Sequence, residues 1–227
     1  IPINFEKKNL SSKMCDLLGV VCQKPNEKEW NKWKTFAKNA HNGKDVVKIA
    51  MIGKYFETGD FILSDSYLSV IEALKYSSYM QHRKPVISWR NSVDFEKDPH
   101  KLKELKNYDG IVVPGGFGKR GVEGNLNAVQ YARENKIPYF GLCYGMQMMV
   151  IEYARNVLRL KDANTREVNP NAKNIVIDVM ESQKENLKNN RYGGSMRLGA
   201  YKAVLKKGSI AQMSYGQDEV LERHRHR

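Results

Sequence analysis

At 227 residues, 41% hydrophobic and 28% charged, the chain has the size and composition of one sizeable α/β domain with some linker attached. No apolar run approaches the ~20 residues that cross a bilayer and no signal-peptide pattern opens the chain, so no membrane is expected as partner. The formal charge is +13, but the lysines (Lys97, Lys101, Lys103, Lys106, Lys184, Lys188) are scattered, with no nucleic-acid fold signature, so a solvated basic surface is expected rather than nucleic acid. Three cysteines, Cys15, Cys22 and Cys143, are an odd and sparse set that argues for a reducing compartment, and a cytoplasmic location is expected. Cys15 and Cys22 read as helix packing. Ile1-Pro2-Ile3-Asn4 is not a natural start, and the chain is expected to have been cut from something longer.

Residues 1 to 45 read as a linker or helical arm. Trp30, Trp33, Phe36, Ala37 and Ala40 share one helical face, and His41-Asn42-Gly43 stops the run. From Val46 a second domain, 46–227, is expected. Val46 to Ile52 reads as a buried strand, and Ser64 or Ser66 can cap a helix carrying Tyr67, Val70, Ile71 and Leu74. Pro85 to Trp89 is a second strand and Gly110 to Val113 a third. A helix with Leu126, Val129 and Ala132 inward follows, then a strand from Ile137 to Leu142. Met146, Met149, Val150, Tyr153 and Val157 stripe the next helix. Beyond Ile175–Val179 the pattern weakens to a polar loop at Glu181–Asn190 and short strands around Tyr201–Leu205. The alternation predicts an α/β fold, a mainly parallel sheet with helices on both faces, whose ligands bind at the carboxyl ends of the strands.

Two glycine-rich segments lie at such strand ends. Gly141-Leu142-Cys143-Tyr144-Gly145 joins a strand to a long helix. A nucleophile there needs a sharp turn, the flanking glycines permit close approach, and the helix N-terminus favours thiolate over thiol. The backbone N–H after the cysteine, that of Tyr144, can donate to a developing oxyanion. The competing reading is a buried cysteine acting as a small hydrophobe. Pro114-Gly115-Gly116-Phe117-Gly118 can turn a peptide N–H toward the same pocket, or be a tight turn with no ligand.

These residues resemble the glutamine amidotransferase domain of CTP synthases. The resemblance is carried in order by Met51-Ile52-Gly53-Lys54-Tyr55, Asp65-Ser66-Tyr67, Val112 to Gly118 with Arg120-Gly121-Val122-Glu123-Gly124, Gly141 to Gln147, Asp162 to Glu167, Gly193 to Gly199 and Glu222 to Arg227. It implies a flavodoxin-like class I amidotransferase fold. It also implies glutamine hydrolysis through a cysteine thioester, with the ammonia delivered to ATP-dependent amination of UTP to CTP. By matched position, Cys143 looks like the nucleophile and Gly116 and Tyr144 the oxyanion donors. Gln147, Glu167 and Arg227 would hold the amino acid part of glutamine, Glu167 its ammonium and Arg227 its carboxylate. No cofactor is implied for this domain. ATP and Mg are implied for an amidoligase domain not contained in the 227 residues, GTP as allosteric activator, and a homotetramer for the whole protein. His224 and His226 would share a strand face without a third ligand nearby, so no metal is expected.

The catalytic histidine and glutamate of that family belong to a His-Pro-Glu segment that these residues do not contain, and the domain is expected to be truncated at its C-terminal end. Tyr144 stands where many members carry leucine, Ser195 where threonine is usual, and Phe56 to Leu63 look like an insertion. The alternative for this chain is a non-catalytic regulatory or assembly module of the same fold. A cysteine hydrolase acting on another amide would leave the Gly193–Gly199 and Glu222–Arg227 segments unexplained.

Overall fold

The computed structural model describes residues 2–23, 26–54, 57–58, 61–62, 67–191 and 197–226. They form two compact units, residues 1–161 and 162–227.

The first unit opens with helices α1 (Pro2–Lys7), α2 (Leu10–Leu18) and α3 (Glu27–Asn42). Cys15 lies in α2, and Cys22 lies past its glycine cap, exposed, with its thiol in hydrogen-bond contact with that of Cys15. Asn26 caps α3 through its side-chain oxygen, and the helix ends at Asn42 with Gly43 following, as the sequence predicts. The strands and helices that follow are β1 (Asp45–Gly53), the short pair β2 (Glu57–Thr58) and β3 (Phe61–Ile62), α4 (Leu68–Met80), β4 (Arg83–Asn91) and α5 (Ser92–Lys97). After a 3₁₀ helix (Pro99–Asn107) come β5 (Gly110–Val113), α6 (Val122–Glu134), β6 (Tyr139–Gly141) and α7 (Tyr144–Asn156). The helical arm lies on α4, with the Phe36 ring 4.8 Å from that of Tyr76. Ser64 and Ser66, read as caps for α4, lie outside the described residues.

The main sheet is parallel, in the order β4-β1-β5-β6. β1 is central and apolar on both sides, and its alternation sorts the core. Ala50 and Ile52 pack with Phe95, Leu105, Ile111, Val113, Ala128 and Ala132, whereas Met51 packs with Tyr67 and Ile71. Pro85, which cannot donate to a ladder, sits in the edge strand β4. The order reverses beside β1, which puts a switch point at the carboxyl ends of β1 and β5.

Two expectations need correction. The Met146, Met149, Val150, Tyr153, Val157 stripe exists on α7 but is its exposed side, while Tyr144, Met148, Ile151 and Ala154 form the buried one. In the second unit, Glu181–Asn190 is not a loop. Residues Glu181–Lys188 form α8, held by a Lys184–Glu181 ion pair one turn apart. That unit also contains the parallel pair β7 (Asn164–Thr165) and β8 (Ile175–Ile177), and an antiparallel hairpin of β9 (Arg197–Val204) and β10 (Glu219–His226) with α9 (Ile210–Tyr215) between.

Candidate active site

Three adjacent parallel strands deliver the site. β1 ends at Gly53 with Lys54 next, β5 runs into Pro114–Gly118, and β6 runs into Cys143. The turn after β6 is sharp because the chain reverses from strand to helix in two residues. Leu142 N–H donates to Val113 O at 2.9 Å, Gly145 N–H to Leu142 O at 2.9 Å, and Gln147 N–H to Cys143 O at 3.1 Å. Cys143 is left at φ 51°, ψ −102°, a conformation that costs a non-glycine residue about 1–3 kcal/mol, and its side chain is exposed at the head of α7. Both flanking glycines are steric requirements. A Cβ on Gly141 would come within 2.6 Å of Gly145 O and Met146 N, and one on Gly145 would overlap the carbonyl of Val113. The strained cysteine is therefore clamped between two points where strand and helix backbones touch.

The glycine loop faces this cysteine. A Cβ built on Gly115 would lie 3.7 Å from Cys143 Cβ. The loop is held from below through its carbonyls. Tyr67 Oη donates to Gly115 O at 3.2 Å, Tyr144 Oη donates to Gly118 O at 2.9 Å, and Lys54 Nζ donates to the same oxygen at 2.8 Å. Lys54 is buried, and its ammonium lies 4.6 Å from the centre of the Tyr144 ring. Tyr139, whose phenol is pushed up by burial, donates to Gly145 O at 2.8 Å and ties the first turn of α7 to β6.

The structure therefore brings Cys143, Gly116, the backbone of Tyr144 and the first-turn residue Gln147 to one end of the sheet. Glu167 belongs to the second unit, where it is exposed and its N–H donates to Thr165 Oγ1 at 3.1 Å. The preceding Arg166 grips Asp178 with two 2.8 Å bonds, which hold that carboxyl at about 2. His224 lies edge-on to Tyr201, 5.5 Å between ring centres. Arg227, Tyr55, Asp65, Ser66 and Gly193 to Met196 lie outside the described residues. Lys54 and Tyr67 received no role from the sequence although both fall in matched segments. The available signal was position, since a lysine directly after a buried parallel strand sits at the binding edge.

The matches to known proteins agree with this geometry. The family model for class-I glutamine amidotransferases matches residues 62–227, and the chain belongs to that family. Its place within the family is among the glutaminase domains of CTP synthases. The solved glutaminase domain of Trypanosoma brucei CTPS, with bound acivicin, superimposes with a TM-score of 0.71 at 38% identity, over 80% of this chain and 67% of that one. The CTP synthase of Sulfolobus acidocaldarius is 44% identical over the whole chain, and that of Lactobacillus helveticus 42%. The chain spans 41% and 40% of those two relatives, about two fifths of their length.

Proposed function

We propose that this domain hydrolyses the side-chain amide of glutamine through a thioester on Cys143. The Cys143 thiolate attacks the amide carbon, and the carbonyl electron pair moves to oxygen, where the N–H groups of Gly116 and Tyr144 hold it. Collapse expels the nitrogen, protonated, as ammonia, and water then cleaves the thioester to glutamate. Gln147, Glu167 and Arg227 hold the amino acid part of the substrate. The proton carrier is a histidine, oriented by a glutamate, in the His-Pro-Glu segment that the family places after the Arg-His-Arg-His-Arg motif. The observation that carries this reading is Cys143 itself, exposed in a strained turn on a helix N-terminus and facing a glycine loop.

In the whole protein the ammonia would pass to an amidoligase domain for ATP-dependent amination of UTP to CTP. The same reading brings ATP and Mg to that other domain, GTP as an allosteric activator, a homotetramer and a cytoplasmic location. No residue of these 227 is assigned to hold any of those nucleotides. Among the described residues no helix is long and apolar enough to cross a membrane.

The test is incubation of the whole protein with 6-diazo-5-oxo-norleucine, followed by peptide mass spectrometry. One adduct is expected, on Cys143, suppressed by excess glutamine, with ammonia release lost in Cys143→Ala. A Cys143→Ala variant that still hydrolyses glutamine would overturn the reading, and an unlabelled, inactive wild type would favour a non-catalytic module.

A further inference from the structure

The glycine loop needs a device that keeps its N–H aimed. A peptide between two glycines, Gly115 and Gly116, meets little steric resistance to rotation, and a half-turn would replace a donor by a carbonyl oxygen at the oxyanion position. The peptide is planar and trans, since the chain contains no cis bond among its described residues, so its C=O and N–H point in opposite directions. Whatever fixes Gly115 O therefore fixes Gly116 N–H.

Tyr67 does this. Its hydroxyl donates to Gly115 O at 3.2 Å from a ring that is only 8% exposed and packed with Met51 and Ile71. The Trp89 ring lies 6.4 Å away, centre to centre. The far end of the loop is fixed separately, at Gly118 O, by Lys54 and Tyr144. We propose that Tyr67 is a positioning residue, whose hydroxyl locks the Gly115–Gly116 peptide with its N–H facing the oxyanion. The proposal rests on the reading of Gly116 as an oxyanion donor.

Glutamate γ-semialdehyde tests it in the whole protein. Cys143 sulfur adds to the aldehyde carbon and the carbonyl electron pair goes to oxygen, so the thiohemiacetal occupies the oxyanion site without turnover. In Tyr67→Phe, kcat for glutamine hydrolysis should fall roughly ten- to thirtyfold, less than the loss of a whole oxyanion donor. The aldehyde should bind more weakly by a similar factor, while KM for glutamine and inhibition by glutamate stay within about twofold. Ile71→Val, which disturbs the same packing and leaves the hydroxyl, should match wild type in all four. Fluorotyrosines placed at 67 keep the ring whatever the stability of the phenylalanine variant, and aldehyde affinity should follow their acidity.

Wild-type kcat and aldehyde affinity in Tyr67→Phe would overturn the assignment, as would an equal loss in Ile71→Val or no response to fluorination. A wild-type enzyme that neither hydrolyses glutamine nor binds the aldehyde would overturn the underlying reading instead.

Discussion

Gly145 is one residue where geometry can be tested by a single methyl group. In Gly145→Ala the new carbon meets the Val113 carbonyl, which cannot yield without breaking its bond to Leu142 N–H, so α7 must shift. Overpacking of this kind costs about 1–3 kcal/mol, read from urea unfolding. A displacement near 1 Å at the nucleophile should cut glutamine turnover by about 100-fold. Asp178 offers a titration. The Arg166 fork and the Val179 N–H hold its carboxyl at about 2, below its ordinary 3.8. A depressed folded value stabilises above 3.8 and fades as the pH falls toward 2. In Arg166→Ala, carbon-13 NMR should show the Asp178 carboxyl titrating back toward its ordinary range. Both glycines around Cys143 were legible in the sequence because a nucleophile turn needs them. The roles of Lys54 and Tyr67 were not, since their partners Gly118 and Gly115 lie 64 and 48 positions away.

At the scale of elements, α6 and α7 are joined by two ion pairs among the described residues, Arg155 with Glu123 at 2.9 Å and, more deeply buried, Arg133 with Glu152. Arg133 Nη2 meets Glu152 Oε1 at 2.7 Å and Nε bonds both carboxylate oxygens at 3.1 Å, while Asn156 Nδ2 adds a donor at 3.0 Å. Glu152 is 1% exposed, so removing the guanidinium strands a buried carboxylate. Arg133→Ala should destabilise by about 2–3 kcal/mol in urea unfolding, with Asn156 limiting the loss. Arg133→Ala combined with Glu152→Gln should recover part of it. Element existence was readable where apolar runs met punctuation. β5 matches its expected bounds because Ile111–Val113 runs straight into Pro114-Gly115-Gly116. β6 is shorter than expected because Pro138 has no N–H to give the ladder, although its carbonyl accepts from Ile111. α7 is apolar on both sides, so periodicity found the helix and picked the wrong face. α8 has no apolar stripe, only a local ion pair, which a pattern of hydrophobic spacing passes over.

For the whole molecule, order along the chain and order in space differ. Alternating apolar runs identified the parallel α/β class, but nothing in their spacing says that the first long strand lies between β4 and β5, because that arrangement is written in contacts and not in local pattern. This placement of β1 affects synthesis. As the chain leaves the ribosome, β1 can pair early with β4, but its other edge waits for β5; Lys48 N–H finds Asp109 only 61 positions later. At roughly 5–20 residues per second, that leaves the apolar edge of Ile49–Ile52 unpaired for on the order of three to twelve seconds. During that interval the nascent chain presents an open template for another strand, and the site at its tip cannot exist until β6 has also emerged.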